Sequence, residues 1–227
     1  MIGIIHLYKI LSLSLAYPEE QNWALIEKQL AMSRDLFGGE LAKKVEQFRL
    51  CFLKNQRSIE RVQSDYLACF DVGRLISPYE TEYISEKVSR KPFELADIAG
   101  FYTAFGFGVH ETRRNKEAPD HISIELEFMA ILEWKTEYAR EKKEEENASI
   151  VSEAKLKFLQ DHLLKWGFFY CKQISVSEGY DFYKSLAQIL ELVLQIECER
   201  YGLDSSLFDK ELQRDPLSGV RDEELTC

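Results

Sequence analysis

The 227-residue sequence contains only 11 glycines and 5 prolines, too few for the many tight turns that a β-sandwich or barrel needs. It has no C-x-x-C pair, so a zinc ribbon or an iron-sulfur cluster of the usual spacing has no ligands. No G-x-x-x-x-G-K-S/T loop, H-E-x-x-H helix or G-x-S-x-G elbow occurs, and Gly106-Phe107-Gly108 is too short to cradle a phosphate. None of the four histidines has Glu three residues before it, which removes the carboxylate-bridged di-iron bundle. No Asp-Asp dipeptide offers a clustered Mg²⁺ site. Positive charge is also short. With 29 Lys and Arg against 39 Asp and Glu, the net charge of -10 disfavours nucleic acid and anionic lipid and favours cationic partners. No stretch reaches the roughly 18 uncharged apolar residues of a membrane span, so no stable membrane insertion is expected. These absences predict no metal, no cofactor and no covalent catalysis.

What is present is a 45% hydrophobic chain with 14 Phe, 11 Tyr and 3 Trp, enough to build a core. Apolar residues recur at three and four: Ile4, Leu7, Tyr8, Leu11 and Leu15, then Trp23, Ile26 and Leu30, then Leu41, Val45, Phe48 and Phe52. These predict three helices, the first closed by Pro18 and the next two parted by Gly38-Gly39. A fourth starts at Ser58, a good N-cap, and carries Ile59, Val62, Tyr66 and Phe70 to Gly73. Residues 73–92 include Pro78, Tyr79 and Tyr83 with little periodicity, and read as an irregular hinge. A helix from Lys91-Pro92 runs to Gly106 and Gly108. The next begins at Pro119-Asp120, carries Ile122, Leu126, Met129 and Trp134, and enters a charged stretch, 133–146, that reads as a solvated helix end or hairpin tip with local ion pairs. Two more follow, one from Ser152 carrying Leu156, Leu159, Leu163, Trp166 and Tyr170, and one from Ser177 or Glu178 to Gly202.

The expected organisation is all-α: an N-terminal helical part (1–72), a hinge (73–92), a C-terminal helical part (93–202) and a polar acidic tail (203–227). Five widely spaced cysteines, an odd number, suit buried thiols in a reducing cytoplasm. The apolar run Met1 to Tyr17 has no basic residue before it and is interrupted by Lys9, the reverse of a secretory leader's order.

One polar cluster stands out: Glu117, Asp120, His121, Glu125 and Glu127 around Pro119 at a helix start. His121 and Glu125 are four apart and share a helical face, while Asp120 is placed to cap free N–H groups. The cluster reads either as a capped helix whose histidine is held by a carboxylate, or as an anionic rim beside an apolar surface. Such a rim would take a peptide in which Arg precedes an apolar run. In the aromatic stripe nearby, Phe101 and Phe105 are expected in the core, and Tyr79 and Tyr83, in a loop, are expected to be available.

Several segments in fixed order resemble one family: Leu7-Tyr8-Lys9-Ile10-Leu11, Tyr17-Pro18, Tyr66 to Phe70, Ser77-Pro78-Tyr79-Glu80-Thr81-Glu82-Tyr83, Leu95-Ala96-Asp97 with Phe101-Tyr102, and Phe105-Gly106-Phe107. Further on come Pro119-Asp120-His121-Ile122, Glu125-Leu126-Glu127-Phe128-Met129, Phe158-Leu159, His162-Leu163 and Trp166. Together, over about residues 5–200, the sequence is similar to the TorD/DmsD/NarJ family of molybdoenzyme-specific, redox enzyme maturation chaperones. The resemblance implies an all-α, TorD-like helical bundle acting in the cytoplasm. It implies a client-specific chaperone that binds the twin-arginine signal peptide or the apo-form of a molybdenum-containing oxidoreductase and assists cofactor insertion before export. It implies a monomer or a domain-swapped dimer, and it puts peptide binding and the hinge on Tyr79, Glu80, Tyr83, Pro119, Asp120, His121 and Glu125. The family usually has Glu directly before Pro-Asp-His; here Ala118 stands there, with Glu117 one step away. Guanine nucleotide, associated with some relatives, is not expected without a phosphate loop. The alternatives are a permanent, non-catalytic subunit of an oxidoreductase complex and, less favoured, a helical hydrolase or transferase using His121 with Glu125.

Overall fold

Three-and-four spacing of apolar side chains becomes helix along nearly the whole chain in the computed structural model, which describes residues 2–55, 58–71, 76–84, 87–108 and 117–208. The first half contains α1 (Ile2–Leu15), α2 (Glu20–Met32), α3 (Gly39–Asn55) and α4 (Ile59–Tyr66), the last running into a π-helical turn at Leu67–Asp71. After a 3₁₀ turn at Glu80–Glu82 come α5 (Lys87–Ala104), α6 (Ile122–Glu141) and α7 (Glu145–Phe158). A second π-helical turn, Leu159–Leu163, carries α7 directly into α8 (Leu164–Val176), and α9 (Asp181–Tyr201) closes the bundle. Among the described residues, β pairing is limited to one isolated antiparallel bridge, Tyr79 with His121.

Several boundaries differ from the sequence reading. Helix α5 begins at Lys87, so Pro92 lies inside it rather than at its first turn. Helix α7 begins at Glu145, within the charged stretch, because Lys143 (φ 61°) turns the chain and Glu144 N–H reaches back to Ala139 C=O at 2.9 Å. That stretch is therefore a hairpin tip, with an Arg140–Glu137 ion pair at 2.9 Å on α6. Helix α9 starts at Asp181, after the left-handed residues Gly179 and Tyr180, and ends as expected at Gly202 (φ 65°), with Leu203 N–H on Cys198 C=O at 2.8 Å.

Helix α6 is buried on most of its circumference, from Ile122 to Ala139, with α1 along one side and α7 along the other. Helix α3 packs on α9, as does α8, where Gly167 lets the backbones approach; a Cβ there would meet Leu194 Cδ1 at 2.9 Å. One hydrophobic cluster runs from Ile4 to Cys198, so both helical parts share it. No described helix is long and apolar enough to cross a membrane. Cys69, Cys171 and Cys198 are buried thiols and Cys51 is half-buried; Cys227 and the rest of the tail past Phe208 lie outside the described residues.

The core also holds charge. Lys155, 1% exposed, donates to Glu133 at 2.6 Å and to Glu197 at 2.7 and 2.8 Å, while Arg200 donates to Glu133 at 3.0 Å. Two cations meet two carboxylates, as burial demands. Burial pushes the Glu133 carboxyl up, but Lys155 and Arg200 outweigh it and hold the group below its ordinary value.

Candidate functional site

The residues singled out in the sequence, Tyr79, Glu80, Tyr83, Pro119, Asp120, His121 and Glu125, do come together, but mostly facing inward. Residues 76–84 form a strap laid across the start of α6. Ile122 N–H donates to Pro78 C=O at 2.8 Å, and Glu80 N–H donates to Asp120 C=O at 3.0 Å. The Asp120 side chain completes the lacing, accepting from both the Thr81 hydroxyl (2.6 Å) and the Thr81 amide (3.1 Å) on one oxygen. Tyr83 hydroxyl donates to Ser77 C=O at 2.6 Å, and its ring stacks on Trp166 of α8 with centroids 5.3 Å apart.

Helix α6 is capped by His121, not by Asp120: His121 Nδ1 accepts from Ser123 N–H at 3.2 Å. In the neutral ring that leaves Nε2 to carry the proton and donate to the Tyr66 hydroxyl, 3.3 Å away. His121 is therefore held by Ser123 and Tyr66, and the expected pairing with Glu125 is replaced by these contacts. Burial without a carboxylate partner lowers the His121 pKa to about 3. Glu125 instead accepts from Trp166 Nε1 at 3.4 Å. Burial pushes its carboxyl well up, and the nearby charges of Glu80 and Asp120 and a hydrogen bond with Glu80 push it the same way. Burial and the neighbouring carboxylates thus favour the neutral form of Glu125.

The expectation of an open anionic rim is corrected by burial. Glu80, Asp120, His121 and Glu125 are at most 1% exposed and Tyr83 is 6% exposed, because the strap, α6 and α8 close over them. Tyr79 and Pro119 remain half-buried at the surface. There the Tyr79 hydroxyl donates to Glu117, and Tyr102 hydroxyl donates to Pro119 C=O at 2.8 Å. Glu117 thus serves the strap from one position before Ala118.

Sequence reasoning gave His162 and Trp166 no part in the site. His162 sits in the π-helical turn 159–163, fully buried, with Nδ1 3.1 Å from Glu80 and Nε2 3.2 Å from Asp97 of α5. A histidine among Leu159, Leu163 and Leu164 on an otherwise apolar helix face is the signal that could have found it.

The strap, the start of α6 and the His162 turn all lie within the segment matched by a family model described as the nitrate reductase delta subunit, which covers residues 35–170. The chain belongs to this family, that of the TorD/DmsD/NarJ redox enzyme maturation chaperones. Within the family's reach, the chaperone protein TorD of Photobacterium profundum is 25% identical over 167 residues, spanning 70% of this chain and 73% of that protein. A crystal structure from Archaeoglobus fulgidus, described as a redox enzyme maturation protein, shares the fold. Its TM-score is 0.54 at 21% identity, with 84% of this chain and 93% of that one covered. The TorD-like helical bundle anticipated from the sequence is therefore the fold of this family member, and membership implies a non-catalytic, chaperone role.

Proposed function

We propose that this family member binds the twin-arginine signal peptide, or the apo-form, of a molybdenum-containing oxidoreductase in the cytoplasm and holds it through cofactor insertion and assembly before export. The observation that carries the reading is the strap. Residues 76–84 and 117–125 carry the family-like segments, and they are laced together so that Tyr79, Glu117 and Pro119 stand at one surface. A half-buried aromatic ring beside a carboxylate suits a segment in which Arg precedes apolar residues, and the net charge of -10 steers a basic peptide toward it. Glu80, Tyr83, Asp120, His121 and Glu125 act from beneath as positioning residues. The segment around 73–92 is proposed as the junction of the two helical parts, in a monomer or a domain-swapped dimer.

Calorimetric titration with the twin-arginine peptide of an oxidoreductase encoded beside this gene tests the reading. Tyr79→Ala and Glu117→Gln, at the surface, should each weaken binding about tenfold, equivalent to ~1.4 kcal/mol, and added salt should weaken it further. Unchanged affinity in both variants with the fold intact would remove this surface as the site. The family description as a subunit supports a second reading, a permanent component of the oxidoreductase. Retention at fixed stoichiometry in the mature, cofactor-loaded enzyme would favour it over a chaperone.

A further inference from the structure

Behind the strap, Glu80, Glu94 and His162 each offer a ligand atom, and the three atoms lie within 4.8 Å of one another. They come from the 3₁₀ turn, from α5 and from the π-helical turn between α7 and α8, and Glu80 and His162 are 82 positions apart. No local spacing rule finds such a set, which is why the sequence predicts no metal. Asp97 follows Glu94 by three residues, so both carboxylates occupy one face of α5.

The His162 ring lies between carboxylates, Glu80 at Nδ1 and Asp97 at Nε2, at 3.1 and 3.2 Å. Two ligand atoms bound to one transition-metal ion at ~2.1 Å each stand about 3 to 3.5 Å apart, a spacing that Glu80 and His162 Nδ1 match, while Asp97, at the opposite ring nitrogen, is placed to hold the ring and not to share that ion. A bound histidine commonly donates its second N–H to a carboxylate, and either edge of this ring supplies one.

The charge balance points the same way. Glu80, Glu94 and Asp97 converge on one histidine, and among the described residues the Lys or Arg ion-paired with any of them is the half-exposed Arg90, on Glu94 at 2.7 Å. Glu80 is 1% exposed, and the polar groups that meet its carboxylate are His162 and the buried Glu125 carboxyl, with no Lys or Arg ion-paired to it among the described residues. A buried carboxylate is costly unless a cation or proton meets it.

We propose that Glu80, Glu94 and His162 form a binding site for a divalent transition-metal ion, with Asp97 accepting from the other ring nitrogen of His162. One imidazole nitrogen with two carboxylates is a borderline set that suits Zn²⁺ over Mg²⁺. The ion clips the strap to α5 and to the α7–α8 run, whether or not the strap's outer surface receives a client. Glu94 is the partly exposed member of the set and gives the ion a way in.

Chelator-treated full-length protein titrated with Zn²⁺ in a calorimeter should take up one ion per chain at this site, with Mg²⁺ at least tenfold weaker. Zinc should also raise the thermal midpoint. Glu94→Gln and Asp97→Asn alter groups at the rim and leave buried His162 in place, so both should fold. Each should lower zinc affinity tenfold or more and remove the thermal shift. Co²⁺-loaded protein should show the visible bands of a nitrogen and oxygen site without a thiolate charge-transfer band. Absence of zinc binding to the wild type, unchanged affinity in both variants, or a thiolate band would each overturn the proposal.

Discussion

At the scale of single residues, the sequence marks the right neighbours and misjudges which way they face. Tyr79 and Asp120 through Glu125 are legible as a cluster because they are polar interruptions in apolar stretches. The burial of Glu80 and Glu125 depends on His162 and Trp166, 82 and 41 positions further along, and pattern reading does not see across that distance. His121 shows the consequence. Its folded pKa of about 3 lies below the ordinary 6.5, so the native state holds it neutral while the unfolded chain protonates it. The stability it contributes is complete above pH 6.5 and is lost as pH falls from there toward 3, at up to about 1.4 kcal/mol per pH unit. Glu125, pushed the other way, acts with opposite sign, so the comparison must isolate the histidine. His121→Asn keeps an N-cap acceptor without the titration. Urea unfolding between pH 7 and pH 4 should show a flatter loss of stability in the variant than in the wild type; parallel losses would mean that His121 is not buried neutral.

At the scale of elements, helices were legible wherever one face is apolar over three turns, and α1, α2, α3 and the Gly202 stop on α9 lie where periodicity and capping place them. The strap was not legible as a strap. Its regular feature is the pairing of Tyr79 with His121, 42 positions away in the chain, and local composition reports only that no helix runs there. The two π-helical turns, at 67–71 and 159–163, are equally invisible to periodicity because they interrupt it by one residue. The lacing gives a prediction of its own. Thr81→Val keeps the shape of the side chain and removes the 2.6 Å hydroxyl bond to Asp120, leaving that buried carboxylate oxygen to the Thr81 amide. The cost should be about 1 to 3 kcal/mol and should be felt locally. Hydrogen exchange at the Glu80, Thr81 and Ile122 amides should quicken in this variant before the centre of α9 responds. Equal acceleration everywhere would show that the strap is no separate unit of stability.

At the scale of the whole molecule, the division into two helical parts read from the sequence describes how the chain is ordered, while the packing joins the parts. Trp23 of α2 stacks on Phe182 of α9 at 5.5 Å and meets Phe52 of α3 in a tilted contact at 4.7 Å, and Phe48 of α3 meets Phe182 at 5.3 Å. From the second half, Tyr183 donates its hydroxyl to Val62 C=O of α4 at 3.2 Å, and Phe70 lies edge-on to the same ring. The Lys155 network adds a polar tie, since Tyr8 of α1 donates to Glu197 of α9 at 3.2 Å. Elements that bury one another's aromatic rings lose their core when either is removed, so neither part has a complete interior alone. Phe182→Ala should therefore lower stability by about 3 to 5 kcal/mol. Scanning calorimetry should show it as one transition moved to lower temperature, with calorimetric and van't Hoff enthalpies in agreement, in the wild type and in the variant alike. A split into two transitions, with the second unmoved by the substitution, would mean that the halves hold separate cores and that the α9 aromatics serve only their own side.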